Sequence, residues 1–311
     1  MVKTVFLYIA IVIFLFGCGS NENPGDWITF TTDDGLPGLY IYSVCETVDK
    51  VIWVSASGGI ARFEGADFTP YTVEDGLPSG ECVAITEYTG KIAVATDSGL
   101  AVFDGQKFII FTTDDGLPSD SIFSLASGIG GLWIGTDYGL SFFDGSSFEN
   151  YNTSNSDIAG NMIWALSVNG SSVVIGTDKG LSIFTPPAGW EKYTKGNGLP
   201  SDIVQCLWVD NGIIWGGTAN GAFKLESGKI TAYTTANSGL SYDDVMGVCV
   251  DKESDVWFAT YSGGISCFSN NEWRTYRKGD GPISDYLFCA FVSSYDTLWF
   301  GTTAGLSRHV K

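Results

Sequence analysis

Histidine is almost missing from this chain: of 311 residues only one is histidine, His309 near the C-terminus. Any general base drawn from imidazole has that single candidate, and its place beside the end reads as an exposed strand position rather than a catalytic one. Positive charge is scarce too. The 16 Lys and Arg face 35 Asp and Glu, for a formal net charge of −19. Such a field repels nucleic acid and anionic lipid, so no nucleic-acid partner is expected. No nucleophile elbow, P-loop or metalloprotease motif occurs, and the seven cysteines match no zinc spacing. The signatures of the common catalytic classes are absent.

Long apolar runs are lacking as well, except at the N-terminus. There Lys3 precedes an apolar stretch over residues 5–16, too short for a comfortable membrane span and ending in small residues, as a signal peptide does. Leu15-Phe16-Gly17-Cys18 resembles a bacterial lipobox, in which the cysteine becomes the lipidated first residue. Residues 1–17 are therefore expected to be a lipoprotein signal peptide, and 18–26 the lipidated Cys18 with a polar tether. An ordinary N-terminal anchor is the alternative. Removing residues 1–17 takes away one lysine and moves the formal charge from −19 to −20. Gly19 is not the acidic cue that retains lipoproteins at an inner membrane, so attachment to the outer membrane of the cell envelope is expected.

What the chain has in plenty is glycine, 40 residues, and aromatic side chains, 14%. They recur in order. "FTTDDGLPG", "YTVEDGLPS" and "FTTDDGLPS" begin at Phe30, Tyr71 and Phe111, and the same glycine returns at Gly198, Gly239 and Gly281, with Asp157 holding its place in one gap. The seven positions lie 40 to 42 residues apart. A second marker, "LWIGTDYGLSFFDG" at 132–145, keeps the same period in seven copies. Each repeat reads as four short strands separated by Gly, Asp or Ser turns, which is the pattern of a propeller blade. The last copy stops after its third strand, and "DWITFTTDDGLP" at 26–37 supplies a fourth. An all-β, seven-bladed β-propeller over residues 27–311 is predicted, its last blade closed by the N-terminal strand.

"DGLPS", "LWIGTDYGL" and "FDG" resemble the two-component regulator propeller repeat, which builds the periplasmic sensor half of many bacterial hybrid histidine kinases. The resemblance covers residues 27–311. It implies the fold, and a sensing role by analogy, although this chain carries one propeller and no kinase.

Loops divide between two faces. The Gly-Leu-Pro loops and the "TDYG" turns share one of them, and it is acidic. The short polar residue before each glycine (Asp34, Asp75, Asp115, Ser156, Asn197, Ser238, Asp280) is expected to bond the backbone two residues on. Asp120, Asn161, Asp202, Asp243 and Asp285 read as turn or cap groups. Calcium would find abundant oxygen ligands here, but no ligand loop of known spacing appears, so no cofactor and no metal is expected. The eighth residue after each repeat glycine (Ser43, Ala84, Ser124, Ala165, Cys206, Gly247, Cys289) is small, as crowding at a central axis requires.

Candidate ligand-binding residues are those that break the repeat near this face: Tyr40, Tyr42, Phe123, Trp164, Tyr286 and Phe288, with Tyr138, Lys179, Asn220 and Tyr261 as a rim. Aromatic rings around a polar mouth suit stacking on sugars or other amphipathic ligands, although each could equally pack between blades. The expected function is non-catalytic recognition of a glycan, small ligand or envelope protein by a monomer held to the membrane by lipid alone. A protein scaffold without a small ligand, and a carbohydrate-active lyase or hydrolase, are the alternatives. The single terminal histidine counts against the histidine-dependent lyases built on seven-bladed propellers.

Overall fold

The computed structural model describes residues 25–128 and 130–311, which form seven four-stranded antiparallel sheets. The segment 1–17 and Cys18 lie outside the described residues. Six of the sheets each come from one repeat, because each repeat supplies four β-branched and aromatic runs cut by turn residues. The inner strands are Ile41–Glu46, Cys82–Tyr88, Ile122–Gly128, Ile163–Asn169, Val204–Asp210, Val245–Val250 and Leu287–Val292, here the inner strands of blades I to VII. Each inner strand packs on its two neighbours, blade VII on blade I included. The molecule is a closed seven-bladed β-propeller.

Blade VII is made from both ends of the chain. Leu287–Val292, Leu298–Thr302 and Gly305–His309 give three strands, and Trp27–Phe30 adds the outermost. The ladder runs from Trp27 opposite His309 to Phe30 opposite Leu306. Phe30 is 5% exposed, edge-on to Phe68 at 5.4 Å and stacked on Trp299 at 6.1 Å between centroids. The Arg308 guanidinium lies over the Phe30 and Trp299 rings, 5.5 and 5.3 Å from their centroids, a cation–π arrangement. Aromatic packing at Trp27 and Phe30 and backbone pairing therefore hold the same short strand.

His309 departs from the expectation of an exposed residue. It is buried and stacked on Trp27, with 4.5 Å between ring centroids. The cause is the closing strand, which covers a position that looks terminal in the sequence. Burial pushes its pKa below the usual histidine value, because the charged form loses its hydration.

The Gly-Leu-Pro loops fold by a local rule. Thr31 N–H donates to Asp34 Oδ2 at 2.7 Å while Asp33 N–H donates to Thr31 Oγ1, a reciprocal capping box. Blades II, III and V repeat it at Thr72/Asp75, Thr112/Asp115 and Thr194/Asn197. The acid before the glycine thus bonds the backbone three residues back, not two residues on, since the chain makes a 3₁₀ turn there and points its amides at that side chain. Ser156 and Ser238 do bond forward, to the amides of Ile158 and Leu240. Gly35 closes the turn at φ 90°, where a Cβ would sit 2.0 Å from Phe68 O, so only glycine fits. Leu36 and its counterparts Leu77, Leu117, Ile158, Leu199 and Leu240 are all buried.

Deleting residues 26–33 should open blade VII. The Phe30 contacts and the Trp27–Phe30 ladder go together, and losing Phe30 alone corresponds to about 3–5 kcal/mol. The variant is expected to melt well below the parent, or to dimerise through the bared strand edge. A monomer with the parent's melting temperature would show that the ring is not closed this way.

Candidate functional site

The inner strand of each blade bears one irregularity at one place. In blade III, Ile122 pairs with Thr136 and Ser124 with Gly135, leaving Phe123 without a cross-strand partner. The other six inner strands slip in the same way. This is a β-bulge. Thr136 and Gly135 are adjacent and face opposite sides of the sheet, so the residues paired with them do as well. The residue between them is turned out of both faces, towards the free edge of the inner strand. That edge is the propeller axis.

The seven bulged residues are Tyr42, Val83, Phe123, Trp164, Gln205, Met246 and Phe288, and all seven line an axial cavity of about 720 Å³. The next residue inwards on each strand is the small one: Ser43, Ala84, Ser124, Ala165, Cys206, Gly247 or Cys289, all in the same wall. Smallness is imposed by the neighbouring blade. A Cβ on Gly247 would lie 2.5 Å from Ala290 N and 2.8 Å from Cys289 Cα. Ser124 Oγ donates to Ile163 O of blade IV at 3.2 Å, and Cys206 Sγ to Val245 O of blade VI at 3.6 Å. Leu125, Leu166, Leu207, Val248 and Ala290 follow in the wall. The mouth is therefore built in layers, variable at the bulge and constrained beneath it.

Around the bulge ring the side chains fall into two aromatic groups. Phe123 and Trp164 lie 4.9 Å apart at 31°. Tyr42 and Phe288 lie 5.3 Å apart, with Tyr40 6.2 Å and Tyr261 6.4 Å from the same phenylalanine ring, and Tyr286 edge-on to Tyr261 at 5.8 Å. Gln205 stands between the groups, its amide donating to Asp244 Oδ1 at 2.7 Å. Tyr42 donates its hydroxyl to Glu81 at 3.3 Å, and burial followed by the Glu81 charge pushes its pKa up to about 12. Tyr42 is thus neutral at physiological pH.

Of the residues singled out in sequence, Tyr42, Phe123, Trp164, Tyr261 and Phe288 line the cavity. Tyr40 and Tyr286 touch it through their ring contacts. Tyr138, 63% exposed, Lys179 and Asn220 sit at the second position of their turns, outside the wall. Val83, Gln205 and Met246 were missed. Their signal was present: each is the seventh residue after its repeat glycine, the position held by the four aromatic members.

Most turn acids serve the backbone. Asp120, Asp202, Asp243 and Asp285 accept from amides seven or eight residues upstream at 2.7 Å, and Asn161 does so at 2.9 Å. The cysteines of the described residues are free thiols. Burial pushes Cys206 and Cys289 up to about 12, and Cys249 well above its ordinary value, which keeps them protonated and unreactive.

The architecture defines the chain as a single seven-bladed propeller with an aromatic axial mouth, and solved structures share that fold. The extracellular domain assigned to the hybrid two component system BT3049 from B. thetaiotaomicron is 21% identical, with a TM-score of 0.80 over 92% of this chain and 42% of that one. PorZ, a surface component of the type-IX secretion system of Porphyromonas gingivalis, is 14% identical with a TM-score of 0.72, over 89% of this chain and 47% of its own. Virginiamycin B lyase from Staphylococcus aureus is 12% identical with a TM-score of 0.70, over 91% of this chain and 97% of its own. The chain spans about two fifths of the length of the B. thetaiotaomicron domains it resembles. No protein-family model matches the chain, and no curated protein matches it in sequence. The likeness is one of fold.

Gly247→Ala tests the axial packing. Its methyl group meets the backbone of blade VII, and overpacking of this kind costs about 1–3 kcal/mol. Urea unfolding should show that loss; a variant as stable as the parent would mean the inner strands are not tightly packed.

Proposed function

We propose that this propeller is a non-catalytic recognition module of the bacterial cell envelope, which takes a glycan, small molecule or envelope-protein segment into its axial mouth. The observation that carries the reading is the bulge ring. Large aromatic side chains stand at four of its seven positions, on free strand edges where blade packing does not call for them, directly above a layer that admits only small residues. Trp164 Nε1 is buried and makes no hydrogen bond among the described residues. A ligand oxygen beside it would remove the cost of that unpaired donor. The likeness in fold to extracellular domains of two-component systems supports a sensing or binding role.

The S. aureus lyase is catalytically inactive when one histidine is replaced by alanine. The single histidine here lies between strands of blade VII under Trp27, outside the cavity wall. That placement supports binding over lyase chemistry. A glycan array followed by product analysis separates the readings. The parent should bind without turnover, and Phe123→Ala with Trp164→Ala should abolish binding. Turnover would favour a hydrolase or lyase, and binding that survives the double change would move the site away from the mouth.

Attachment by a lipid on Cys18 places the module at the membrane, on the strength of the lipobox. Labelled fatty acid should enter the parent and not Cys18→Ser. Equal incorporation in both would remove the anchor from the account.

A further inference from the structure

The mouth is one-sided in charge, and this bears on what it admits. Two residues outward from the bulge stand the entrance positions, where Glu81 and Asp244 carry the acids. Among the described residues no Lys or Arg lines the cavity. The rim cation Lys179 pairs with Asp178 at 3.6 Å and lies outside the wall. Asp244 shares one oxygen with the Gln205 amide; its Oδ2 accepts no hydrogen bond among the described residues. An anionic ligand would meet this carboxylate with no compensating charge.

Blade VI also departs from the repeat at this spot. In blades II to V and VII the second-strand threonine donates to a glycine carbonyl three residues on, as Thr136 does to Gly139. Thr260 reaches Gly264, four residues on. The turn is one residue longer, and it begins with Tyr261, whose amide donates to Asp244 O at 2.9 Å. Asp137 and Asp178, at the matching position of their turns, do not line the cavity, whereas Tyr261 does. Blade VI thus carries both the acid and, at the first position of its turn, an aromatic ring whose centroid lies 6.4 Å from that of Phe288.

We propose that this corner of the mouth binds a cationic amine, with the ammonium on the faces of Tyr261, Phe288 and Tyr42 and Asp244 as its counter-ion. The inference rests on the mouth being the ligand site and adds the charge class of what enters it. Aromatic faces attract a cation through their negative quadrupole, most strongly where water is reduced. Blade III, whose ring neighbours are Phe123 and Trp164, has Ser121 at its entrance position and offers no such charge. The cation is therefore placed at blades VI, VII and I, leaving the Phe123–Trp164 pair to an uncharged part of the same ligand.

The test uses three probes of one shape: choline, the uncharged 3,3-dimethylbutan-1-ol and the anionic 3,3-dimethylbutanoate. Each is titrated against the folded protein while the mouth resonances are followed by NMR. Choline should bind at least about threefold more tightly than the alcohol, and the anion more weakly than either. Salt should weaken choline and leave the alcohol unchanged. Asp244→Asn should keep the parent's melting temperature and remove the preference, while Phe288→Leu should weaken choline. Equal affinity for choline and the alcohol, or a preference that survives Asp244→Asn, would overturn the cation site and leave the mouth as a neutral one. If no probe binds, the cation site is likewise overturned. The mouth reading then stands or falls separately, on whether Phe123→Ala with Trp164→Ala abolishes binding on the glycan array.

Discussion

The last blade of a ring matches its neighbours only when it has all four strands, and here the completing strand comes from the opposite end of the chain. Trp27–Phe30 lies along Gly305–His309, backbone to backbone. The side chains on that strand are held by partners that the ring alone brings together: Phe30 by Phe68 of blade I and Trp299 of blade VII, Trp27 by His309 and by Tyr276 of blade VI at 5.9 Å. Pairing with the third strand of blade VII and packing across two neighbouring blades are thus one event. In a repeat architecture, where each unit stabilises only its neighbours, such a contact makes the first and last units neighbours.

The axial mouth inherits its form from the same closure. Seven inner strands converge, so one layer must be small, and Gly247 shows how little room is left. The bulge above that layer releases one side chain per blade from the packing. Those seven positions can vary without disturbing the blades, and they do, from Val83 to Trp164. Blade VI adds a second variation in Tyr261, which opens its turn and lines the wall. Regular packing below and free variation above suit a scaffold that presents a particular surface at a fixed place.

Much of this was legible in the sequence. The repeat period, the split last blade and the run of small residues each follow from spacing, because β-structure of this kind repeats its constraints at fixed intervals. The bulge was not legible. Alternation of apolar and polar residues does not register one extra residue when both faces of a strand are buried, so Val83, Gln205 and Met246 were marked only by sharing the repeat position of the aromatic members. The aromatic members were noticed only because their size broke the pattern. His309 was misplaced because its cover comes from a strand 282 residues earlier in the chain, Trp27 against His309. The direction of the Asp34 hydrogen bond depended on a 3₁₀ turn that composition alone does not reveal.

Native-state hydrogen exchange on the full chain addresses the central claim, that closure makes the ring one structure. Strands that open together exchange together. The amides of Trp27–Phe30 that face blade VII should be protected to the same degree as those of the third strand, Gly305–His309, and as the outer strand of an internal blade such as Phe148–Tyr151. Exchange of the Trp27–Phe30 amides at the rate of an unstructured terminus, with blades II to VI still protected, would contradict it.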